Sequence, residues 1–151
     1  MLINEWGNAC WFLFHTLSYK LKDEESEHAK ELLKIFIEIC KILPCPICRE
    51  DATKMLNNSK SGLVKTKPDL IRFMWQFHNL VNKKLNKPVF TMEEHNNKYA
   101  KTVTHNVVNF YIYVMSKNMN NSKAMIQTYQ RQNKIASFKA YYAENIHRFN
   151  P

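Results

Sequence analysis

Two cysteines three positions apart are the residues of this chain best suited to chemistry. Cys45 and Cys48 enclose Pro46 and Ile47 and directly follow Pro44. Proline pre-sets the first turn of a helix, so the pair is predicted at a helix N-terminus, where free N–H groups and the dipole stabilise negative charge. One thiol is therefore expected to have a lowered pKa and to act as a nucleophile. The pair can also cycle between dithiol and disulfide.

Metal binding is the competing chemistry for these cysteines. A structural zinc site takes four ligands, usually as two close pairs, and the other cysteines, Cys10 and Cys40, form no second close pair. The spacing Cys40-x4-Cys45-x2-Cys48 matches part of a plant-type iron–sulfur motif, but no fourth cysteine follows. Redox cycling is favoured, and a zinc-stabilised adaptor remains an alternative. Cys10 and Cys40 are interpreted as buried, inert thiols.

A further set of residues fits the electron partner of such a pair. A thioredoxin-like fold would need βαβ units, which the sequence lacks. A bound flavin is the alternative, since FAD requires flat apolar surfaces, cations for its pyrophosphate and polar groups at its ring edges. Taken singly, each candidate also fits a core or surface role. The candidates at helical spacing are Gly7, Trp11 and His15 in one segment and, in another, the pairs His78 with Asn82 and Asn79 with Lys83, followed by Lys84 and Lys87 at the helix end.

The elements that position these residues are predicted to be helices. Only two glycines, Gly7 and Gly62, occur among 151 residues, which argues against a turn-rich β-sandwich and Gly-rich phosphate loops. Apolar residues recur at helical spacing, and no segment alternates as a strand would. The predicted fold class is therefore all-α, within one domain-sized chain. The predicted helices span residues 4–19, 27–43, 46–56, 68–87, 93–99, 102–116 and 123–149.

Local signals set the predicted boundaries. Ser26 is a plausible N-cap for the second helix, and Pro44 ends that helix because it cannot continue the hydrogen-bond ladder. Pro68 and Asp69 open the fourth helix, and Pro88 closes it. Residues 57–67 form a predicted loop and residues 117–122 a polar linker. Predicted apolar faces include Leu80 and Leu85 on the fourth helix and Ile126, Tyr129, Ile135, Phe138, Tyr142, Ile146 and Phe149 on the last.

Composition limits the classes of function. The net charge of +9 attracts anions such as nucleic acid, phosphate-bearing cofactors or acidic lipid, although abundant Lys and Asn also fit a plain compositional bias. No apolar stretch approaches the ~20 residues of a membrane span. The N-terminus lacks the basic and apolar regions of a signal peptide. The sequence therefore predicts a cytoplasmic protein with no membrane span and no secretion signal.

Three motifs together resemble the Erv/ALR family of FAD-linked sulfhydryl oxidases. They are W-x-x-x-H-T-L from Trp11, C-x-x-C at Cys45, and H-N-x-V-N-x-x-L-x-K-P from His78. The resemblance covers roughly Glu5 to Tyr99 and implies a small bundle of four helices plus a short fifth that cradles FAD. Residues 1–101 would form this core. Residues 102–151 would be a helical extension that packs on the core or builds a dimer interface.

The resemblance also implies roles for single residues. Cys48 would lie against the flavin and Cys45 would exchange disulfides with incoming thiols. Tyr99 stands where many members have a stacking tryptophan. Asn8 replaces a frequent arginine, and Trp75 replaces a cysteine of a structural disulfide. The implied cofactor-binding residues are Gly7, Asn8, Trp11, His15, His78, Asn79, Val81, Asn82, Lys84, Lys87 and Tyr99; no metal ligand is implied.

The implied activity is oxidation of protein thiols to disulfides, with electrons passing through the flavin to molecular oxygen and hydrogen peroxide as product. No shuttle cysteine pair lies outside the core, so substrates or a small thioredoxin-like carrier would deliver electrons directly. A homodimer is usual in the family. The short cysteine set and Asn/Lys-rich composition resemble the forms of large DNA viruses, which implies host cytoplasm or virion. The alternative is a non-catalytic basic helical module that binds nucleic acid, which leaves the motifs unexplained.

Overall fold

The fold is built from helices throughout residues 3–117 and 125–151, the part of the chain that this computed structural model describes. These residues contain no strand, only an isolated bridge between Leu21 and Phe149, and the predicted all-α class is confirmed. The predicted linker 117–122 lies, apart from Lys117, outside the described residues. The α-helices are α1 Ile3–Lys20, α2 Ala29–Cys40, α3 Pro46–Asn57, α4 Lys67–Lys84, α5 Met92–Tyr99, α6 Thr104–Met115 and α7 Met125–Asn145. Short 3-10 helices occur at Asp23–His28, Ser61–Leu63 and Ile146–Arg148.

The start of α3 follows directly from the C-P-I-C sequence. Pro46 occupies the first helical position, as predicted, and Cys45 is the N-cap in an extended conformation. The backbone N–H of Cys48 donates to Cys45 Sγ over 3.3 Å. The preceding helix α2 already ends at Cys40, short of Pro44. The cysteine pair therefore sits at the helix N-terminus that the sequence predicts.

Both ends of α4 are fixed by local chemistry. A capping box joins Thr66 and Asp69 at its start, which satisfies N–H groups that the helix leaves open. At its end, the N–H of Lys87 donates to the carbonyl of Asn82 over 2.8 Å, and the N–H of Asn86 donates to Lys83 over 3.2 Å. Asn86 has a φ of 56°. These features form a Schellman motif, which turns the chain back along α4.

Helix α1 lies at the centre of the molecule and packs against α2, α4, α5 and α6. Helix α7 packs on α6, and the chain end returns to the end of α1. There the N–H of Asn150 donates to the carbonyl of Lys20 over 2.6 Å, and the N–H of Lys22 donates to Arg148 over 2.9 Å. The described residues of 104–151 therefore pack against the helices that precede them, chiefly α1.

Ser26 does not cap α2, contrary to the prediction. Residues 23–28 form a 3-10 helix and α2 begins at Ala29. The hydroxyl of Ser26 instead accepts a hydrogen bond from the backbone N–H of Lys67 over 2.8 Å. The side chain thus ties this segment to the first turn of α4, where backbone donors lack helical partners.

Part of the predicted apolar faces lies at the surface. Leu80 and Leu85 are 52% and 53% exposed, so their positions on α4 were predicted wrongly. Ile126, Tyr129 and Ile146 are exposed as well, whereas the remaining members of the last predicted face, Ile135, Phe138, Tyr142 and Phe149, are buried. A helix that packs on one side only buries a single stripe, and the exposed residues lie outside that stripe or near a helix end.

We expect Asn86→Val to lower the free energy of unfolding by ~1–2 kcal/mol, because a left-handed conformation is strained for a β-branched residue. Asn86→Gly should equal the wild type or exceed it by up to ~1 kcal/mol. Urea unfolding followed by circular dichroism measures both. The matched control is Asn58→Val at the end of α3, where φ is −86°. Equal losses in the two valine variants would contradict the Schellman assignment.

Candidate functional site

A cleft between α1, α3 and α4 brings together Cys48 of the C-x-x-C motif and six of the eleven predicted cofactor-binding residues. Apolar side chains, including Phe14, Met55 and Phe77, form most of its wall. The predicted site residues that line it are Gly7, Asn8, Trp11, Cys48, Val81, Lys84 and Lys87. Those that do not line it are Cys45, His15, His78, Asn79, Asn82 and Tyr99. The cleft is therefore an apolar groove with one thiol of the motif in its wall and two lysines among its lining residues.

The two motif cysteines differ in position. Cys48 lines the cleft, whereas Cys45 does not, and both are half-buried. The N–H of Cys48 donates to Cys45 Sγ at the N-terminus of α3, where negative charge is stabilised. The sulfur of Cys48 therefore belongs to a residue of the cleft wall, and its partner Cys45 lies at the positive end of a helix dipole.

The pKa of Cys48 is raised to about 12, so Cys48 is not the thiol of lowered pKa that the sequence predicts within the pair. Burial is the largest cause, followed by the hydrogen bond and charge of Cys45 and by the carboxylate of Asp51. These effects outweigh the helix dipole, which stabilises an exposed anion by only ~0.3–1 kcal/mol. Asp51 also pairs with Lys84 over 2.5 Å and so joins α3 to α4 beside the cleft.

Cys10 and Cys40 are buried, as predicted, with 3% of each exposed. Burial raises the pKa of Cys40 to about 12, and burial together with Cys40 raises the pKa of Cys10. Both also line the cleft that holds Cys48, a position that the sequence did not indicate.

Trp11 connects the cleft to a buried cluster of rings. Its indole stacks on the imidazole of His78 with centroids 3.9 Å apart and planes 8° apart. His15 lies parallel to the same indole at 5.6 Å, and Phe77 is tilted against it at 5.4 Å. Trp11 and His15 thus share one face of α1, as predicted, and the ring contacts of Trp11 continue to Phe77 and His78 on α4.

Three histidines form a continuous row of hydrogen bonds behind Trp11. His15 Nε2 lies 2.8 Å from His78 Nδ1, and His15 Nδ1 lies 2.8 Å from His95 Nε2. The hydroxyl oxygen of Tyr19 lies 3.0 Å from His95 Nδ1. Sequence reasoning missed His95 and Tyr19. The available signal for His95 was its spacing of four residues before Tyr99 on a predicted helix, which gives the two residues one face.

Burial is the main cause that keeps these histidines uncharged. It lowers the pKa of His78 to about 3 and that of His95 to about 4, and it holds the pKa of His15 well below its ordinary value. Positive charge on neighbouring histidines and on Lys98 adds to the effect. The row is therefore neutral near pH 7.

The asparagines of the H-N-x-V-N motif hold the segment after α4. Asn79 exchanges two hydrogen bonds with the backbone of Phe90, at 3.0 and 3.2 Å, and Asn82 donates to the carbonyl of Pro88 over 3.4 Å. Trp75 Nε1 donates to the carbonyl of Phe90 over 2.9 Å. Trp75 thus tethers this segment at a position where the family resemblance implied a cysteine.

Tyr99 and the two lysines complete the predicted set. Tyr99 is buried behind His15, with ring centroids 4.5 Å apart, and burial raises the pKa of its hydroxyl. Lys84 forms an ion pair with Asp51. Lys87 is exposed and forms no ion pair with the described residues. Lys87 is the freer of the two cations at the cleft.

No group of three His, Cys, Asp or Glu side chains within residues 3–117 and 125–151 is arranged to hold a metal ion. No helix in those ranges is both long and apolar enough to cross a membrane.

Comparison with known proteins finds one matching family. The sequence model of the Erv1/Alr family matches residues 8–100. Protein 096R of Invertebrate iridescent virus 3 is 34% identical over 85 residues, 55% of this chain and 57% of that protein. The mitochondrial FAD-linked sulfhydryl oxidase ERV1 of Saccharomyces cerevisiae is 32% identical over 89 residues, 58% of this chain and 47% of that protein.

A FAD-linked sulfhydryl oxidase of African swine fever virus is 28% identical over 99 residues, 65% of this chain and 82% of that protein. The chain spans about half the length of the iridescent virus and yeast proteins. No solved structure matches the chain significantly.

We expect the free energy of unfolding to fall as the pH falls from 6.5 to 4.5. Histidines of the unfolded chain bind protons near pH 6.5, whereas in the fold His78 and His95 bind them only near pH 3 and 4, and the pKa of His15 is held well below its ordinary value. The full stability of the fold is therefore present above pH 6.5 and is lost progressively as the pH falls below it. Each neutral histidine adds a slope of ~1.4 kcal/mol per pH unit. Denaturant unfolding at several pH values measures the slope.

The variant His95→Phe should lose ~1.4 kcal/mol per pH unit of this slope, because one of the three titrating groups is gone. His105→Phe is the matched control, since His105 is exposed on α6. An unchanged slope in His95→Phe, or an equal loss in the control, would contradict the assignment of the slope to the buried row.

Proposed function

The chain belongs to the Erv1/Alr family, and from this premise we propose that it is a FAD-dependent sulfhydryl oxidase acting through Cys45 and Cys48. The observation that carries the proposal is the split between the two thiols. Cys48 lies in the wall of an apolar cleft, whereas Cys45 does not line that cleft. A cofactor in the cleft and a thiol arriving from outside can therefore reach opposite ends of one disulfide.

The residues of the cleft fit FAD in their chemistry. A Cβ built on Gly7 meets no atom within 4 Å, so the cleft is open beside α1. Trp11 and Val81 supply flat apolar wall, and Lys84 and Lys87 supply cations for a pyrophosphate. The cavity measures about 160 Å³, below the ~300–1,000 Å³ of sites that enclose a drug-sized ligand. A dinucleotide would be enclosed in part and would extend along the open side.

FAD bound in this cleft would supply a two-electron acceptor that molecular oxygen reoxidises to give hydrogen peroxide. The protein's own contribution is thiol–disulfide exchange. A substrate thiolate attacks Cys45 Sγ, the Cys45–Cys48 bond breaks, and its electron pair stays on Cys48 Sγ in the cleft wall. A second substrate thiolate then attacks the substrate sulfur of the mixed disulfide and releases Cys45. Two electrons and two protons leave the substrate dithiol.

The N-terminus of α3 assists the release of Cys45. The N–H of Cys48 donates to Cys45 Sγ over 3.3 Å, and the helix dipole stabilises the departing thiolate. Burial raises the pKa of Cys48 and so destabilises its thiolate in the cofactor-free cleft. Transfer of the electron pair from that sulfur to an acceptor in the cleft would relieve this cost.

The proposed partners are protein thiols and molecular oxygen. Cys10 and Cys40 are buried, so no accessible second pair can relay electrons, and a separate small thioredoxin-like carrier or the substrate itself would deliver them. We also propose residues 1–101 as the catalytic core and residues 102–151 as its support, because α6 packs on α1. A homodimer and a location in host cytoplasm or virion remain predictions.

We expect Cys48→Ser to abolish dithiol-driven oxygen uptake, because the sulfur in the cleft wall carries the electron pair. The variant should retain the yellow colour of bound FAD. It cannot form the Cys45–Cys48 disulfide, so a substrate dithiol has no bond to attack and should stay reduced. Cys45→Ser should lose oxidation of a folded protein thiol for the same reason. Oxygen consumption, the visible spectrum and intact-mass spectrometry of the substrate measure these results. Oxygen uptake at the wild-type rate by Cys48→Ser would refute the assigned role.

We expect Lys87→Gln to weaken FAD binding about two- to fivefold, the effect of one exposed charge contact. The difference should shrink as salt screens the contact. Lys83→Gln is the matched control, since Lys83 is exposed on the same helix end but does not line the cleft. Titration followed by flavin fluorescence measures both affinities. Equal losses in the two variants would argue against a phosphate contact at Lys87.

A further inference from the structure

The row of imidazoles behind Trp11 has only two possible arrangements of its protons. A neutral imidazole has one N–H and one acceptor nitrogen. Both nitrogens of His15 are engaged at 2.8 Å, one by His78 and one by His95. His15 must therefore donate in one direction and accept from the other. The same argument applies to His95, which is engaged by His15 and by Tyr19.

The three imidazole rings have the same orientation along the row. The Nδ1 atoms of His78, His15 and His95 each face the next group toward Tyr19, and the Nε2 atoms of His15 and His95 each face the preceding group. All three histidines therefore carry the proton on Nδ1, or all three carry it on Nε2. The first arrangement leaves a lone pair on His78 Nε2, and the second leaves an N–H there.

The far end of the row selects between these arrangements. Asn96 Oδ1 is assigned toward the hydroxyl of Tyr19, and with the amide in this orientation the hydroxyl donates its one proton to that oxygen. The Tyr19 oxygen must then accept from His95 Nδ1–H. Because each neutral ring has only one N–H, His95 Nε2 then accepts from His15 Nδ1–H, and His15 Nε2 accepts from His78 Nδ1–H. Every member of the row is then in the Nδ1–H tautomer.

The near end of the row is available to a ligand. His78 Nε2 makes no hydrogen bond with the part of the chain that the structure describes, and it is not fully buried. The His78 ring stacks on the indole of Trp11 with ring centroids 3.9 Å apart, and Trp11 itself lines the cleft. Trp11 and His78 thus join the row to the cleft.

We propose that Tyr19 and His95 are positioning residues that fix His78 as the Nδ1–H tautomer, so that His78 Nε2 accepts a hydrogen bond from an N–H or O–H of the bound cofactor. The inference rests on the proposed function for the identity of that ligand. FAD carries donors of both kinds on its adenine, ribose and ribityl groups. An N–H on His78 Nε2 would oppose such a donor, so the tautomer sets which edge of a ligand is accepted.

Tyr19→Phe is the sharpest test, because it removes the end of the row and leaves the ring in place. His95 Nδ1–H would then be a buried donor without an acceptor, which is rarer in proteins than an unpaired acceptor. The row is expected to reverse, so that His78 becomes the Nε2–H tautomer. Tyr113→Phe is the matched control, since Tyr113 is 65% exposed on α6 and lies outside the row.

Long-range ¹H–¹⁵N correlation of the full chain, with and without FAD, reads the tautomer of each histidine at neutral pH. The wild type and Tyr113→Phe should have Nδ1–H at His15, His78 and His95, and Tyr19→Phe should have Nε2–H at His78. FAD affinity should fall about five- to tenfold in Tyr19→Phe, the worth of one hydrogen bond, and the thermal midpoint should fall by a few degrees because the Tyr19 hydrogen bonds are lost.

Two results would overturn the proposal. One is Nε2–H at His78 in the wild type or an unchanged His78 tautomer in Tyr19→Phe. The other is a reversed row with unaltered FAD affinity, which would remove the ligand contact. Absence of FAD binding by the wild type would instead refute the proposed function, and the spectra of the cofactor-free protein would still decide the tautomers. If Tyr19→Phe fails to fold, His95→Gln tests the same row, because its amide can replace the Nε2 acceptor and should retain Nδ1–H at His15.

Discussion

The candidate site depends on the contact that joins α1 to α4 through Trp11, His15 and His78. A stacking distance of 3.9 Å and a hydrogen bond of 2.8 Å hold these residues together. An unpaired imidazole nitrogen in this place would cost ~1–3 kcal/mol, so the two helices have few alternative registers. The same contact fixes the spacing of Gly7 and Val81 on the two faces of the cleft. The cleft is thus a consequence of satisfying buried polar groups, as well as of apolar packing.

The sequence predicted those features that local chemistry determines. The start of α3 at Pro46 and the N-terminal position of Cys45 follow from proline's fixed backbone angle and the capping preference. The stripe of Gly7, Trp11 and His15 follows from helical periodicity alone. The resemblance added the division of roles between Cys45 and Cys48, and the observed cleft has one thiol in its wall and the other outside it.

Features that depend on tertiary contacts could not be predicted. Helical spacing predicts Leu80 on an apolar face as readily as Phe77, but only Phe77 has a neighbour that covers it. The hydroxyl of Ser26 fits an N-cap in the sequence, yet the folded chain offers it the N–H of Lys67, 41 residues away. The raised pKa of Cys48 has the same origin, because burial and Asp51 enter only once α3 is packed.

Of the helices after residue 101, α6 packs on α1 and α7 packs on α6. The buried residues of α6 include Thr104, Val108 and Tyr111, spaced as one helical stripe, and α6 packs chiefly on α1. Thr16 on α1 donates to Thr102 over 2.9 Å, one residue along from His15. Because α1 is clamped between α4 in front and α6 behind, a shift of α6 would move the helix that carries Trp11. The geometry of the cleft is therefore a property of the whole helical assembly, and the extension contributes to it without lining it.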